Sequence, residues 1–388
     1  MPQIKPEVEA FARIKVVGVG GAGKHATNHM IDSKVKGVEF IAVNTDAQDL
    51  HNSLAKKKIH IGKNVTRGLG AGMNPDLGRK AAEETAEELQ ESLKGADMVF
   101  ITAGLGGGTG SGASAPIARS SRELGALTVA VVTKPFFFEG MQRKQIADSA
   151  LEEIKKHVDA FIVIPNDRLL SAVDKDTPAR RAFAISDEVL KQAVEGISDL
   201  ITTPGEVANV DFADIKAIMT NAGNALMGIG YANGEKRAEE AARKAIDSPL
   251  LDIAITGARG VLFSIAGGDD ITMMEIQDAA RIITESVDPN AKIIFGTVND
   301  PKIKKGEIKI TVIATGFPGE AGSQEVLHTP EPTIEKVEKS DEGKIYNEMM
   351  PSRRENKVDT KRSPAAITED DDDDWGAVPS FLRRSRLK

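Results

Sequence analysis

Six of the nine residues from Gly104 to Gly112 are glycine, and Thr109 and Ser111 add hydroxyl groups. This run follows an apolar, strand-like stretch, Met98–Ala103, and precedes a segment with helix-like spacing from Ala113 to about Leu124. Glycines let a backbone turn its N–H groups inward, and hydroxyl groups and a helix N-terminus add further donors. The pattern therefore predicts a phosphate cradle, because flexible linkers seldom lie between a buried strand and a helix.

A second glycine loop, Gly18-Val-Gly20-Gly21-Ala-Gly23, ends another strand-like run. It matches the G-x-G-x-x-G pattern of dinucleotide-binding folds, and Asp46 after the next strand would serve as the ribose ligand. One alternative is therefore an NAD-dependent oxidoreductase. The same loop with Lys24 matches a P-loop, but His25 stands where a P-loop has a magnesium-binding Ser or Thr.

Neither pattern accounts for both glycine loops. Two such loops after two different strands favour one polyphosphate that is held from two sides. Gly68–Gly72 is either a third loop of this kind or an ordinary surface turn.

The elements that must position these loops are short apolar runs that alternate with helix-like segments. One helix is expected over Pro75–Lys94. The strand-like runs are Ile14–Val19, Phe40–Val43, Met98–Ala103, Thr128–Val132 and Phe161–Ile164. This alternation predicts an α/β fold with a parallel sheet, whose ligands bind at the carboxyl ends of the strands.

Downstream of residue 178 the spacing of apolar residues predicts one long central helix that ends near Thr203-Pro204-Gly205. We expect six parts along the chain. They are an N-terminal tail (1–10), a nucleotide-binding domain (11–178), the central helix (179–204), a smaller α+β C-terminal domain (205–316), a disordered linker (317–368) and a C-terminal docking peptide (369–388).

Composition narrows the function classes. The 388-residue chain has a net charge of −8 and only 4% aromatic residues, which disfavours general nucleic-acid binding. It has no Cys, so thiol chemistry and disulfides are absent. The N-terminal residues lack an apolar signal region. The sequence also has no run of the ~18 apolar residues that a membrane-spanning helix needs. A cytoplasmic protein is expected.

Together these motifs resemble the tubulin/FtsZ family, whose FtsZ members act in bacterial cell division. The glycine run GLGGGTGSG is similar to the family signature, and further matching motifs follow in the family's order. They are Asn44-Thr45-Asp46, Gly68–Gly72, Thr133–Phe136, Phe138–Gly140, Ile164–Asp167, Asn209–Asp214, Gly257–Gly260 and Val378–Leu382. The resemblance covers about Ile14 to Gly316 and resumes at the tail.

The resemblance implies a GTPase that binds GTP and GDP, with Mg²⁺ held mainly by the nucleotide phosphates and no metal ligand from the protein. The glycine loops would hold the phosphates, Ala71 and Gly72 would approach the γ-phosphate, and Glu139 and Arg143 would contact the ribose. Asn166 and Asp187 would read guanine while Phe183 packs against the base. The remaining nucleotide-binding candidates are Gly21, Ala22, Gly23, Lys24, His25, Asn44, Gly104, Gly106, Gly107, Gly108, Thr109 and Gly110.

Asn209, Asp211 and Asp214 are the catalytic candidates that the resemblance implies. In the family this segment completes the nucleotide site of the next subunit in a head-to-tail filament. From the residues alone, Asp211 is equally a helix N-cap with Asp214 as its first-turn acid. Similarly, Asp187 alone would be taken as a charge near a helix start.

The chain departs from the family at Lys24-His25, where Gly-Asn is usual. Lys24 either adds a charge near the phosphates or points to solvent. A nucleotide-dependent scaffold with little hydrolysis is an alternative within the same fold.

The tail combines an acidic run, Glu369–Asp374, with Trp375, apolar residues and a basic end. Residues Trp375–Lys388 are predicted to dock onto membrane-anchored and regulatory division proteins. The resemblance thus implies a protein that assembles the division ring at the inner face of the membrane.

Overall fold

The structure, a computed structural model, describes residues 12–170, 178–203, 210–248, 255–268, 270–300 and 303–317. The strands are β1 (Ile14–Val19), β2 (Val38–Asn44), β3 (Lys57–His60), β4 (Met98–Gly104), β5 (Leu127–Lys134), β6 (Ala160–Pro165), β7 (Gly223–Asn233), β8 (Gly260–Gly267), β9 (Lys292–Asn299) and β10 (Glu307–Thr315). The N-terminal tail, the linker after Phe317 and the docking peptide lie outside the described residues.

Helices alternate with these strands along most of the chain. They are α1 (Gly20–Asp32), α2 (Ala47–His51), α3 (Lys63–Thr66), α4 (Pro75–Glu84), α5 (Ala86–Leu93), α6 (Gly108–Glu123), α7 (Met141–Lys155), α8 (Asn166–Leu170), α9 (Ala179–Thr202), α10 (Phe212–Met219), α11 (Arg237–Ile246) and α12 (Met273–Glu285), with a 3₁₀ turn at Phe137–Glu139. None of the helices among the described residues is long and apolar enough to cross a lipid bilayer.

The strands form one sheet in the order β3-β2-β1-β4-β5-β6-β7-β10-β8-β9. The first six are parallel, and the central strands β1, β4 and β5 are buried except for the last residue of β4 and of β5, because helices cover both faces. β7 pairs with β6 only at Ala160↔Gly223 and Phe161↔Asn224. Beyond it, β10 runs antiparallel to β7 and β8, and β9 runs parallel to β8. The predicted α/β fold with a smaller α+β part is confirmed.

The long helix α9 joins the two parts of the sheet. Its apolar side chains, including Val189, Ala193 and Ile197, share one core with Val129 of β5 and Ile313 of β10. Their three- and four-residue spacing is the pattern that predicted the helix. At its far end Thr202 lies beside Gly37, just before β2 begins. Helix α9 therefore runs from the carboxyl ends of the parallel strands to their amino ends.

Two predicted helix boundaries are wrong. Helix α6 begins at Gly108 instead of Ala113, because glycine packing overrides the low helix propensity of this run. A Cβ atom on Gly108 would lie 2.8 Å from the Cβ of Ala71, so only glycine allows this approach. The helix expected over 75–94 is broken at Thr85, whose hydroxyl donates to the Ala81 carbonyl (3.2 Å) and accepts from the Gly62 N–H (3.1 Å).

Candidate functional site

A cavity of about 980 Å³ lies at the carboxyl ends of β1, β4, β5 and β6, beside the first half of α9. Many of the predicted nucleotide-binding residues line it, namely Gly21, Ala22, His25, Gly104, Gly107, Gly108, Thr109, Gly110, Glu139, Arg143, Asn166, Phe183 and Asp187. They come from sequence positions 21 to 187 and meet because all the strands before them end at the same edge. The cavity has the location that the parallel sheet predicted.

One end of the cavity is built from the two glycine loops. Helices α1 and α6 both begin there, so two sets of unpaired backbone N–H groups and two positive dipole ends converge. Gly20 has a φ of +72°, and a Cβ atom on Gly104 would lie 2.6 Å from the Cβ of Ala22. The Thr109 hydroxyl lies 2.6 Å from that of Thr45 on the β2–α2 connection. This end suits a polyphosphate chemically.

Some candidates do not line the cavity: Gly23, Lys24, Asn44, Ala71, Gly72 and Gly106. Gly23 packs behind the first loop, where its carbonyl oxygen would be 2.5 Å from a Cβ atom on Gly18. Gly106 has a φ of +101° and supports the second loop. The Ala71 carbonyl accepts from the Asn74 N–H (2.9 Å), and Gly72 is exposed beside it.

Lys24 does not point to solvent, which was one of its two predicted orientations. Its side chain is only 5% exposed and forms an ion pair with Asp49 of α2, whose other oxygen accepts from the Asn44 amide (2.8 Å). His25, its neighbour, does line the cavity. Burial, followed by the charge of Lys24, lowers the pKa of His25, so its imidazole is neutral at pH 7.

The opposite end of the cavity is formed by the segment after β5, the start of α8 and α9. Arg143 and Glu139 form an ion pair (3.0 Å), and the other oxygen of Glu139 accepts from the Phe136 N–H (3.0 Å). Phe183 is 46% exposed and meets Phe136 edge to face, with ring centroids 5.2 Å apart. An exposed aromatic face held in this way is suited to a planar base.

Two polar groups converge beside that ring. Asn166 is buried, and its Oδ1 accepts from the Ser186 hydroxyl of α9 (3.1 Å). Burial raises the pKa of Asp187 to about 6, although the nearby His29 lowers it. His29 itself lies 2.8 Å from a Glu188 oxygen. Asp187 belongs to the third turn of α9, so it is not the helix-start charge of the alternative interpretation.

The predicted catalytic carboxylates lie elsewhere. Asp211 is exposed and caps α10 by accepting from the Ala213 N–H (3.3 Å), and Asp214 follows in the first turn. The loop after α10 is joined to the amino ends of β5 and β6, where Asn221 accepts from Arg122 and the Gly223 N–H donates to the Asp159 carbonyl (3.0 Å). None of the described α10 residues lines the cavity. Asn209 lies outside the described residues.

Among the residues that the structure describes, no cluster of three acidic or His side chains is arranged to hold a metal ion. Asp46 and Asp49, the acidic residues that follow β2, are already engaged. Asp46 caps α2 by accepting from the Asp49 N–H (3.0 Å), and Asp49 is paired with Lys24.

Sequence reasoning missed several supporting residues: Ser186, Phe136, His29, Thr45 and Asp49. Each acts through a partner that is distant in the chain or lies on another element, and no local pattern signals such contacts. Of these residues, only Thr45 and Phe136 belong to the motifs that resemble those of the family.

Comparisons with known proteins agree with this geometry. Residues 13–174 match the model of the Tubulin/FtsZ family, GTPase domain, and residues 223–318 match that of the FtsZ family, C-terminal domain. A solved structure described as an empty FtsZ dimer from M. jannaschii is 46% identical, with a TM-score of 0.76, and the match covers 79% of this chain and 89% of that one.

More distant structures share the fold. CetZ2 from Haloferax volcanii, described as a GTPγS-bound protofilament, is 21% identical with a TM-score of 0.66 and covers 78% of this chain and 92% of its own. CetZ1 from the same organism, described as a GDP-bound monomer, is also 21% identical, with a TM-score of 0.68 and coverages of 79% and 95%. These matches give no support to the NAD-dependent oxidoreductase. Two matched family models and a 46% identical FtsZ show that this chain is a GTPase of the Tubulin/FtsZ family and that it belongs to the FtsZ members of that family.

Proposed function

We propose that this chain forms head-to-tail filaments and hydrolyses GTP at the interface between consecutive subunits. One observation carries the proposal, namely the separation between the cavity and the carboxylates of α10. Helix α9 has 24 residues, which corresponds to about 36 Å, and it separates these two regions. The carboxylates therefore cannot serve the cavity of their own subunit. A relative described as an FtsZ dimer supports self-association.

In this proposal the nucleotide lies along the cavity with its phosphates on the glycine loops. The backbone N–H groups of α1 and α6 bind phosphate oxygens, Ala71 and Gly72 lie towards the γ-phosphate, and Glu139 and Arg143 contact the ribose. The base packs on Phe183. The Asn166 amide nitrogen donates to the guanine O6, because its oxygen is occupied by Ser186.

Selectivity for guanine then depends on Asp187. Its carboxylate accepts from both the N1–H and the 2-amino group of guanine, whereas adenine offers an unprotonated N1 and a 6-amino donor. A buried carboxylate and amide left without partners would disfavour adenine by at least ~1–3 kcal/mol.

Mg²⁺ fits this site through the phosphates of the nucleotide and water, since the carboxylates after β2 are engaged by other groups. When bound, it supplies charge neutralisation for the phosphates.

Hydrolysis requires a second subunit whose α10 end faces the cavity. Asp214 and Asp211 of that subunit, with Asn209, orient and polarise the water that attacks the γ-phosphate. The cavity end of one subunit meets the opposite end of the next, and such a heterologous contact continues as an open filament.

Mixing two variants tests the shared site. Asp214→Ala keeps the cavity but lacks a catalytic carboxylate, so alone it should bind GTP and hydrolyse it poorly. Asp187→Ala keeps the α10 end but lacks the acceptor for guanine, so alone it should bind GTP poorly. A mixture forms some interfaces with an intact cavity and an intact carboxylate, and hydrolysis should partly recover. A mixture whose rate equals the sum of the separate rates would contradict the shared site. Little hydrolysis by the assembled, unmodified chain would instead favour the nucleotide-dependent scaffold.

The rest of the proposal concerns where the chain acts in the cell and which partners its tail binds. The chain is assigned to the division ring at the inner face of the membrane, and residues 375–388 are assigned to docking on membrane-anchored and regulatory partners. The six predicted parts, from the tail at 1–10 to the peptide at 369–388, are retained in this proposal. Apolar residues Val378, Phe381 and Leu382 would fill a groove of the partner, while the basic end steers the encounter.

Truncation after Thr368 tests the docking assignment. GTPase activity and polymerisation should stay largely intact, while recruitment to the membrane in cells should be lost. Loss of polymerisation in the truncated chain would show that the tail belongs to the assembly itself.

A further inference from the structure

The ion pair between Lys24 and Asp49 lies directly behind the first glycine loop. Lys24 is on α1, four residues after Gly20, and its side chain is 5% exposed, while that of Asp49 is 28% exposed. A Cβ atom on Gly21, which lines the cavity, would lie 3.6 Å from an Asp49 oxygen. A carboxylate is thus positioned close to where phosphates would bind.

Such a carboxylate opposes phosphate binding unless its charge is neutralised. A carboxylate and a phosphate that lie close together repel each other strongly in a partly buried site, where water screens their charges poorly. The Asn44 amide also donates to Asp49 (2.8 Å), but an amide carries no net charge. Lys24 is the group that supplies the opposite charge.

Asp49 also belongs to a segment that contacts both glycine loops. Asn44 ends β2 and Thr45 follows it, and the Thr45 hydroxyl lies 2.6 Å from that of Thr109 in the second loop. Lys24 therefore ties the first loop to the same segment that holds the second one.

We propose that Lys24 is a positioning residue that acts through Asp49, whose charge it neutralises behind the first glycine loop, and that it does not act as a P-loop lysine. The P-loop role would place its ammonium on the phosphates, whereas here the side chain is buried away from the cavity lining. The inference rests on the proposed GTP site. Binding of GTP by the unmodified chain tests that site, and the variants below test the pair.

The test compares Lys24→Met, Asp49→Asn and the double variant by calorimetric titration with GTP and GDP at low and high salt. Lys24→Met should weaken GTP binding about tenfold or more, with a larger loss at low salt, because Asp49 is left unpaired. Asp49→Asn should bind GTP at least as tightly as the unmodified chain. The double variant should return to within about threefold of it, since no buried charge remains.

Two results would overturn the proposal. If the double variant binds as weakly as Lys24→Met, neutralisation of Asp49 is not what Lys24 contributes. If Lys24→Met binds normally, the pair has no role in the site.

Thermal melting and a distant control separate binding from folding. Both single variants should melt at lower temperatures than the double variant, which then carries the binding test if a single variant does not fold. Lys15→Met removes another buried lysine, which donates to the Ser92 carbonyl (2.8 Å) at the amino end of β1, and GTP affinity should be unchanged.

Discussion

The Ser186 hydroxyl donates a hydrogen bond of 3.1 Å to Oδ1 of Asn166, although the two residues lie on different helices. Both groups are buried at the wall of the cavity. Because its oxygen is occupied, the Asn166 amide presents its nitrogen to the base. Helix α9 thereby determines whether Asn166 offers its amide nitrogen or its oxygen to the base. One hydroxyl links the parts of the base site that come from α8 and α9.

Replacing Ser186 by Ala should weaken GTP binding by about 2- to 12-fold, the equivalent of one hydrogen bond. Discrimination against ATP should fall as well, because the freed amide can turn its oxygen towards the 6-amino group of adenine. Titration with both nucleotides measures this. Ser198→Ala is the control, since Ser198 is buried in the same helix and donates only to the Glu195 carbonyl (3.2 Å). Equal GTP-to-ATP ratios in both variants would contradict the proposed role.

GTP affinity should depend on pH through Asp187. Burial raises the pKa of this carboxyl to about 6 in the free protein, so lowering the pH through 6 protonates the group that guanine needs as an acceptor. Affinity should therefore fall below pH 6, approaching tenfold per pH unit. Protonation of His25 has the opposite sign, because a positive charge would favour phosphate binding.

A titration series from pH 5 to pH 8 checks this, with circular dichroism to confirm folding at each pH. In Asp187→Asn the binding should be weak and the decline below pH 6 absent. A constant affinity across the range in the unmodified chain would rule out the carboxylate as the base acceptor.

Neighbouring glycines in the second loop should respond differently to a methyl group. A Cβ atom on Gly108 would lie 2.8 Å from both the Cβ of Ala71 and the Asn74 nitrogen, whereas one on Gly107 would meet nothing within 4 Å. Gly108→Ala should therefore lower the free energy of unfolding by about 1–3 kcal/mol. Gly107→Ala should leave it unchanged. Denaturant unfolding of the two variants compares them directly, and equal stabilities would show that the segment from Ala71 to Asn74 can move away from α6.

Much of the fold could be predicted from the sequence because its signals are local. The apolar runs before Gly18 and Gly104 indicate buried parallel strands, and the spacing of Val189, Ala193 and Ile197 indicates the long helix. The start of α6 at Gly108 could not be predicted, because its glycines are required by packing against α4 and not by the backbone of a loop. Thr85 likewise ends α4 through a bond to Gly62, which is remote in sequence.

The parts of the candidate site that lie in local sequence motifs could be predicted. The parts that depend on contacts between residues distant in the chain could not. The glycine loops and Asn166 stand in recognisable patterns, whereas the role of Asp187 was implied only by the family resemblance. The partner of Lys24, by contrast, is 25 residues away on another helix, and that of Asn166 is 20 residues away. Such pairings depend on how α1, α2, α8 and α9 meet, which no window of sequence contains.

Asp211 caps α10 and is also a proposed catalytic carboxylate, and the two roles can be separated by substitution. Asp211→Ala removes both the cap of α10 and the carboxylate, so the free energy of unfolding should fall by about 0.5–2 kcal/mol and hydrolysis by about 100-fold or more. Asp211→Ser keeps a capping hydroxyl and should keep stability, yet hydrolysis should be lost to the same extent. GTP affinity should be unchanged in both. Normal hydrolysis in Asp211→Ser would reduce Asp211 to a helix cap.

A second subunit completes the catalytic site in the function proposed above. The most direct test is the steady-state rate of GTP hydrolysis per chain, measured at saturating GTP across a range of protein concentrations that includes the onset of assembly by light scattering. Little hydrolysis is expected below that onset, and a steep rise in the rate per chain above it. A rate per chain that stays constant through the onset would show that one subunit hydrolyses GTP alone, which would contradict a site shared between subunits.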